Sequence, residues 1–234
     1  MNLIEEARKL DIEVSEKANE NLEKYAEMML RYNEVMNLTA ITEPDEIREK
    51  HFLDSITLLL SGKITENCTL IDIGAGAGFP SIPVKLVRED IKLTMLDSLS
   101  KRIGFLNDVI KEIGINDARA IHSRAEDAGK DKNLREKFDV ATARAVADMA
   151  VLAEYALPFV KVGGYFVAMK GTAPKEELEG AKKAIREMGG EMESVKEVIL
   201  PSGIKHSLAI VRKVIETPSK YPRKAGTPSK KPIN

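Results

Sequence analysis

The sequence predicts an α/β protein built on a mostly parallel β-sheet, with a helical segment in front of it. An apolar run over residues 69–73 ends in glycines at every second position, Gly74, Gly76 and Gly78, and a helical pattern follows it. Further apolar runs then alternate with helical patterns, as in parallel sheets with right-handed crossovers. The last two runs are close enough to form a hairpin, which would add an antiparallel strand.

The first 60 residues show helical periodicity. Ser15 can cap a helix in which apolar side chains recur at three- and four-residue steps, namely Leu22, Tyr25, Met29, Tyr32 and Met36. Residues 42–45 have the spacing of a capping box with an early proline, which predicts a second helix as far as Leu60. We therefore predict an N-terminal helical extension over residues 1–62, packed on the sheet domain.

Seven strands are predicted in the sheet domain, which we place at residues 63–216. The predicted strands cover residues 69–73, 91–97, 118–122, 138–142, 164–169, 193–200 and 207–214. The predicted helices between them cover residues 81–87, 100–113, 145–157 and 175–188. A basic, proline-containing tail follows over residues 217–234.

Composition excludes several classes of protein. A chain that is 43% hydrophobic and 31% charged has the balance of an ordinary globular protein. It has no run of 18 apolar residues, and its first residues lack the basic and apolar regions of a secretory signal. Cys68 is the single cysteine, and it has no partners at metal-binding spacing. We therefore expect no membrane span, no metal and a cytoplasmic location.

The glycine-rich turn predicts a cofactor site, because ligands of such sheets bind beyond the carboxyl ends of the strands. A dinucleotide fingerprint would require glycine at position 79, which is Phe79, and no lysine follows as a P-loop requires. The pattern Asp-x-Gly-x-Gly-x-Gly, which begins at Asp72, fits the loop of class I S-adenosylmethionine (SAM) methyltransferases better. This predicts their Rossmann-like fold. The alternative is a glycine-rich turn without a ligand.

The same rule selects polar residues beyond the other strands. Asp97 ends the second strand, 23 residues after the first glycine, where a carboxylate can accept both hydroxyls of a ribose. Ala125 and Glu126 follow the third strand and would suit an adenine edge. Arg144 and Lys170 end the fourth and fifth strands, and we expect both to face the substrate.

Separated motifs along nearly the whole chain resemble those of one family, the small-subunit ribosomal RNA guanine-N7 methyltransferases. This family is also called methyltransferase G or glucose-inhibited division protein B. The motifs are Tyr32-Asn33, Asn37-Leu38-Thr39, His51-Phe52-Leu53-Asp54-Ser55, residues 72–80, Leu96-Asp97-Ser98, Lys101-Arg102, Phe105-Leu106, Ser123-Arg124-Ala125-Glu126, Ala143-Arg144-Ala145-Val146-Ala147, Met169-Lys170-Gly171, Tyr221-Pro222-Arg223-Lys224 and Gly226-Thr227-Pro228. The chain departs from the family at Ser81 and Ala225, where glycine and proline are usual.

The resemblance implies methyl transfer from SAM to N7 of one guanine in small-subunit (16S) ribosomal RNA. It implies cofactor contacts at Gly74, Phe79, Ala125, Glu126 and Arg144, to which the strand-end rule adds Gly76, Gly78 and Asp97. Guanine N7 has a free lone pair and no proton, so no general base is needed, and the catalytic residues stay unassigned. Arg144 and Lys170 are candidates for positioning the substrate, through O6 or a phosphate, since a donor on N7 would block the reaction.

The basic tail predicts a contact with ribosomal RNA. Residues 217–234 hold five bases and no acid, whereas residues 1–216 carry a net charge of −6. The predicted RNA-binding residues are Lys101, Arg102, Lys170, Tyr221, Arg223 and Lys224, with the RNA or a ribosomal subunit as the partner of a monomer. We expect an extended tail whose Tyr221 stacks on a base, and whose removal weakens RNA binding while SAM binding stays nearly the same.

Two other functions and one other role for the tail remain open from the sequence. A methyltransferase acting on a small molecule would share the fold, and a catalytically silent RNA-binding protein could keep the same basic residues. SAM binding, measured with and without the RNA, would separate these functions from methylation of RNA. The tail could also be a solvated, disordered end.

Overall fold

The computed structural model describes residues 1–144, 147–171 and 175–233 and contains a seven-stranded sheet. The strands are β1 Thr69–Ile73, β2 Lys92–Asp97, β3 Ala118–His122, β4 Phe138–Arg144, β5 Val160–Lys170, β6 Gly190–Ile199 and β7 Lys205–Lys213. Their order is β3-β2-β1-β4-β5-β7-β6. Strands β1 to β5 pair in parallel, and β7 pairs antiparallel with β5 and β6. The predicted seven-stranded, mostly parallel fold is confirmed.

Helices cover both faces of the sheet. They are α1 Leu3–Lys9, α2 Glu16–Met36, α3 Pro44–Glu46, α4 Asp54–Ile56, α5 Ser81–Val87, α6 Ser100–Ile113, α7 Ala125–Ala128, α8 Met149–Ala156, α9 Lys175–Glu187 and α10 Thr227–Lys230. A π-helical stretch, Ile47–Leu53, joins α3 to α4, and 3-10 turns cover Thr57–Ser61 and Leu157–Phe159. The first residues of the helix predicted at 145–157, Ala145 and Val146, lie outside the described residues.

The sheet is buried on both faces because its strands alternate between two hydrophobic cores. Leu70 of β1 belongs to the core that contains the N-terminal helices, whereas the next residue, Ile71, belongs to the core under α8 and α9. Strands that are buried on both sides read as continuous apolar runs, which explains why these strands could be found from the sequence. Helix α2 packs on α5 and α6, so the N-terminal extension contributes to the first core.

One predicted helix start is wrong. Ser15 caps α2 as expected, by accepting a hydrogen bond from the Ala18 N–H at 3.1 Å. The capping box at residues 42–45 does not form, since Glu43 is the N-cap residue of α3 and no side chain caps that helix. Asp45 instead accepts hydrogen bonds from the N-terminal ammonium of Met1 at 2.7 Å and from Arg48 at 3.0 Å. These charged donors occupy the carboxylate that the capping box would have used.

The C-terminal tail folds back on the sheet domain and is not extended as predicted. The Tyr221 side chain is only 7% exposed, and its hydroxyl donates a hydrogen bond to Glu187. Arg223 pairs at 2.6 Å with Glu154 of α8, whose side chain is 1% exposed. A carboxylate buried this deeply needs a charged partner, and the tail supplies it. The prediction that the Tyr221 ring stacks on a base is corrected, because that ring is buried and holds the tail in place. RNA binding by Arg223, which also holds the tail, stays a prediction.

Tyr25 connects the N-terminal extension to the glycine-rich turn. The residue is fully buried, and its hydroxyl donates a hydrogen bond to the carbonyl of Ala77 in that turn. Its ring packs against Phe52, with ring centroids 5.9 Å apart, and against Phe79 at 5.4 Å. A side chain of α2 thus fixes the position of the loop that follows β1.

The variant Tyr25→Phe is expected to lower the free energy of unfolding by about 1–3 kcal/mol, because the Ala77 carbonyl loses its buried donor. Urea unfolding followed by circular dichroism measures the change. The matched control is Tyr32→Phe, whose hydroxyl donates to Asp108 at an exposed site, and it should change stability much less. If both variants lower the free energy of unfolding equally, the buried hydrogen bond to Ala77 contributes no more to stability than the exposed one to Asp108.

Candidate functional site

The carboxyl ends of three strands meet at a cavity of about 460 Å³. Its lining combines the loop after β1, the ends of β2 and β4, and the N-terminal extension: Gly74, Ala75, Gly76, Ala77, Phe79, Asp97, Ser98, Arg102, Arg144, Leu38, Thr39 and His51. A second cavity of about 210 Å³ shares Gly74, Asp97 and Ser98 with the first. It continues to Ala125, Glu126 and Tyr155 and to two residues of the tail, Gly226 and Ser229. Residues chosen at the ends of the first four strands therefore border two cavities that share part of their lining and are together called the cleft, and Lys170 at the end of β5 does not.

The glycines of the loop have different tasks. Gly74, Gly76 and Gly78 all have positive φ values, of 73°, 61° and 98°. A Cβ on Gly76 would meet nothing closer than the Gly74 carbonyl oxygen at 3.9 Å, so this position leaves space at the cavity. A Cβ on Gly78 would lie 2.5 Å from the Cδ1 atom of Ile82. Gly78 thus allows close packing of the loop on α5, and it lies outside the lining of both cavities.

Asp97 holds the loop in place from the end of β2. It is 3% exposed; its Oδ2 atom accepts a hydrogen bond from the Gly76 N–H at 2.9 Å, and its Oδ1 atom accepts one from the Leu99 N–H at 2.8 Å. Arg102 lies 3.4 Å from Oδ2. Each carboxylate oxygen has two acceptor sites, and these three donors fill both sites of Oδ2 and one site of Oδ1. One acceptor site on Oδ1 therefore remains, which suits one hydroxyl of a ribose and not the two that the sequence predicted. The sequence pointed to the ribose contact but not to this support of the loop.

Asp72 is a fully buried acid at the end of β1. Its Oδ2 atom accepts a hydrogen bond from the Ser81 hydroxyl at 2.6 Å, while its Oδ1 atom has no partner among the described residues. Burial raises the pKa of Asp72 to about 7, against the lowering effect of the Ser81 hydrogen bond. Ser81, which departs from the usual glycine, therefore supplies a donor to this carboxyl group. Asp72 lines none of the cavities at these strand ends, so its role is to support α5 beneath the loop.

Arg144 lies between the main cavity and a third cavity. Its Nη1 atom donates a hydrogen bond to Asp54 at 2.7 Å, and its guanidinium carbon lies 4.9 Å from the centre of the Phe79 ring. The other Asp54 oxygen is 3.0 Å from His206 Nδ1. Burial raises the pKa of Asp54, but the hydrogen bond from His206 and the charge of Arg144 outweigh it, so the pKa is lowered. Asp54 is therefore an ionised anchor for Arg144.

The third cavity, of about 250 Å³, presents mostly basic side chains. It is lined by Asp54, Arg144, Met169, Lys170, Gly171, Ile204, Lys205 and His206. The Lys170 ammonium donates a hydrogen bond to the Ala147 carbonyl at 3.0 Å and pairs with Glu177 at 2.8 Å. Lys170 therefore borders the space predicted for a substrate, but with its ammonium group engaged.

His51 is a wall residue that the sequence did not single out for the site. Its ring stacks on Phe79, with ring centroids 4.4 Å apart, and its Nε2 atom is 2.8 Å from the Thr39 hydroxyl. Burial, followed by the charge of Arg144, lowers the pKa of His51 to about 4. The imidazole is therefore neutral at pH 7.

The remaining predicted RNA contacts lie at the surface around the cleft. Lys101 and Lys224 are exposed, and Arg102 is partly exposed at the cavity edge. Within residues 1–144, 147–171 and 175–233, no helix is both long and apolar enough to cross a membrane. The same ranges contain no group of three or more His, Cys, Asp or Glu side chains placed to hold a metal ion.

Comparisons with known proteins agree with this geometry. The family model described as rRNA small subunit methyltransferase G matches residues 18–206. Two relatives with that name are similar over nearly their whole length. The protein of Alkaliphilus metalliredigens is 49% identical, covering 100% of this chain and 98% of the relative. The protein of Thermoanaerobacter sp. (strain X514) is 50% identical, covering 99% and 97%.

Solved structures show a similar fold at low sequence identity. TYW2 of M. jannaschii in complex with AdoMet has a TM-score of 0.52 and 17% identity, covering 69% of this chain and 77% of the other. The precorrin-6y C5,15-methyltransferase of Geobacter metallireducens has a TM-score of 0.51 and 16% identity, covering 68% and 87%. These likenesses confirm the predicted class of fold.

We expect His51 to make stability depend on pH between about 4 and 6.5. In this window the unfolded chain binds more protons at this position than the folded protein, because the folded pKa is about 4 and the ordinary value is 6.5. The contribution is complete above pH 6.5 and is lost as the pH falls through 4. Urea unfolding over this range should give a steeper rise with pH for the wild type than for His51→Gln. If the free energy of unfolding of the two proteins rises equally with pH, the lowered pKa of His51 is contradicted.

Proposed function

The chain belongs to the rRNA small subunit methyltransferase G family, and from this premise we propose that it transfers a methyl group from SAM to N7 of a guanine in small-subunit (16S) ribosomal RNA. One observation carries the proposal. The glycine loop, Asp97, Glu126 and Arg144, which were chosen independently from strand ends, all border the cleft. Two alternatives are a methyltransferase that acts on a small molecule and an RNA-binding protein without catalytic activity. The methylation experiment described below distinguishes both from the proposed function.

The cleft has the chemistry to hold SAM. The positive φ and open side of Gly76 leave room at the loop, and Oδ1 of Asp97 has one acceptor site left for a ribose hydroxyl. The smaller cavity at Ala125 and Glu126 accommodates the adenine end. When bound, SAM supplies an electrophilic methyl group on its sulfonium.

The residues of the chain then act by placing the target base, because N7 of guanine carries no proton that must be removed. Alignment of two reacting atoms can supply a large part of a rate enhancement. His51 fits this scheme as a neutral wall, since its pKa of about 4 leaves it uncharged at pH 7. No residue is assigned as a general base, because guanine N7 attacks with a free lone pair.

We place the target guanine at the third cavity, next to Arg144. The contacts of Arg144 with Lys50, Asp54 and Ser55 all use Nη1, which leaves Nη2 and Nε to donate to O6 or a phosphate. Lys205 and Lys170 border the same space, where a phosphate of the RNA would compete with Glu197 and Glu177 for their ammonium groups. Lys101, Arg102 and Lys224 are the proposed phosphate contacts outside the cleft.

The proposal is tested by incubating the protein with methyl-labelled SAM and either 16S ribosomal RNA or small ribosomal subunits that lack N7-methylguanosine. Label should enter a single guanine, which chemical cleavage at N7-methylguanosine would map. The two substrates show whether the enzyme needs naked RNA or an assembled subunit. Transfer to free guanosine but not to RNA would favour the small-molecule alternative. Binding of RNA without transfer of the methyl group would favour the RNA-binding protein that has no catalytic activity.

The cofactor assignment predicts the effect of two substitutions. Gly76→Val should abolish SAM binding, because its side chain would occupy the open side of the loop and strain the backbone. Asp97→Ala should weaken binding by about 1–3 kcal/mol through the loss of charged hydrogen bonds. Titration calorimetry measures both, with circular dichroism as a check on folding. Wild-type affinity in both folded variants would refute the assignment.

Arg144→Ala is expected to lower the single-turnover rate constant of methylation at least tenfold, which corresponds to a loss of about 1.4 kcal/mol of transition-state stabilisation. Arg144→Lys is the matched variant, because lysine keeps a positive charge beside Asp54 but lacks the forked donors. We expect the lysine variant to fold like the wild type and to stay slow. A lysine variant with the wild-type rate would show that Arg144 serves only as the partner of Asp54.

A further inference from the structure

The C-terminal tail reaches the adenine end of the proposed cofactor site. The Gly226 N–H donates a hydrogen bond to the Oε1 atom of Glu126 at 2.7 Å. Gly226 and Ser229 line the 210 Å³ cavity together with Ala125, Glu126 and Tyr155. The sequence analysis predicted that SAM binding stays nearly the same when the tail is removed, and this contact with Glu126 is a reason to expect the opposite.

Contacts on both sides of the cavity hold the tail in this position. The backbone N–H of Arg223 and its Nε and Nη2 atoms all donate to the carboxylate of Glu154 on α8. Pro222 packs against Gly129, directly after α7, so closely that a Cβ on Gly129 would lie 3.0 Å from Pro222 Cγ. Helix α7 carries Glu126 itself. The segment after Arg223 is therefore fixed relative to both walls of the cavity.

A turn at Gly226 brings the chain back along the cavity. Gly226 has a φ of 79°, in the left-handed region that favours glycine, and α10 begins directly after it. Pro228 of α10 is buried, whereas Ser229 is exposed and borders the cavity. The tail thus presents a backbone donor to Glu126 and a small side chain to the open space.

We propose that residues 226–229 form the outer wall of the adenine subsite, with Gly226 as the residue that positions Glu126. This inference rests on the proposed function, because it requires SAM in the cleft. Gly226 occupies Oε1 of Glu126, which leaves Oε2 to accept a hydrogen bond from the exocyclic amine of an adenine. Removal of this wall would expose the adenine to water and release Glu126 from its position.

The first test is truncation after Ala225, which keeps the anchors Tyr221 and Arg223. Its affinities for SAM and for adenosine, which lacks the methionine part, are measured by titration calorimetry against the full chain. We expect both affinities to fall at least tenfold and by similar factors, because the lost wall borders the adenine end. A truncated protein that binds adenosine like the full chain would overturn the inference.

A pair of matched substitutions covers the case in which the truncated chain does not fold. Ser229→Phe places a ring at the cavity and should weaken adenosine and SAM binding at least tenfold. Ser219→Phe makes the same change at an exposed serine of the tail outside the cavity and should leave both affinities unchanged. Equal affinities of these two folded variants would likewise overturn the inference.

The same measurements separate this inference from the proposed function. If the full chain binds neither SAM nor adenosine, the cofactor assignment fails and the wall fails with it. If the full chain binds both ligands and the altered tails bind them equally well, only the role of the tail is refuted. If the altered tails lose affinity for SAM but not for adenosine, the tail acts at the methionine end and the adenine subsite is refuted.

Discussion

The site depends on the fixed shape of the loop after β1, whose backbone groups have assigned partners. The Leu96 carbonyl accepts hydrogen bonds from the N–H groups of Gly74 at 2.8 Å and Ala75 at 3.0 Å. Asp97 accepts the N–H of Gly76, and the carbonyl of Ala77 takes the hydroxyl of Tyr25. A loop held this way meets a ligand without first being ordered, so less conformational entropy is lost on binding. Positive φ at the glycines makes this geometry possible.

The second constraint is the charge cluster that joins the N-terminal extension to the sheet. Asp54 binds Arg144 across 90 positions of sequence and lies beside His206 of β7. An isolated buried arginine would be costly, and its pairing with Asp54 reduces that cost. Because a single nitrogen of Arg144 makes this pairing, the guanidinium can be held firmly and still offer donors to a substrate. The extension therefore contributes to the chemistry of the site as well as to the core.

The sequence predicted the strands well and the long-range polar contacts poorly. Helix α6 has the predicted bounds, and β2 begins one residue later than expected, because apolar periodicity and glycine positions are local signals. Asp54 and His51 were missed as site residues, since helical periodicity says nothing about partners far along the chain. The fold of the tail was also missed, because lysines and prolines suggest solvent. Glu154 was the available signal: it is a lone acid within the apolar helix α8 and needed a partner.

The position of the tail explains how a chain with a net charge of −1 can bind RNA, which is strongly negative. Glu126 and Glu154 bind the tail through Gly226 and Arg223, so acidic groups of the body place the basic segment beside the cleft. Lys224 lies between these two attachment points and is exposed. If residues 226–229 form the proposed wall, a phosphate on Lys224 that favours this position of the tail also favours cofactor binding. By thermodynamic linkage, bound cofactor then strengthens the same RNA contact by the same factor.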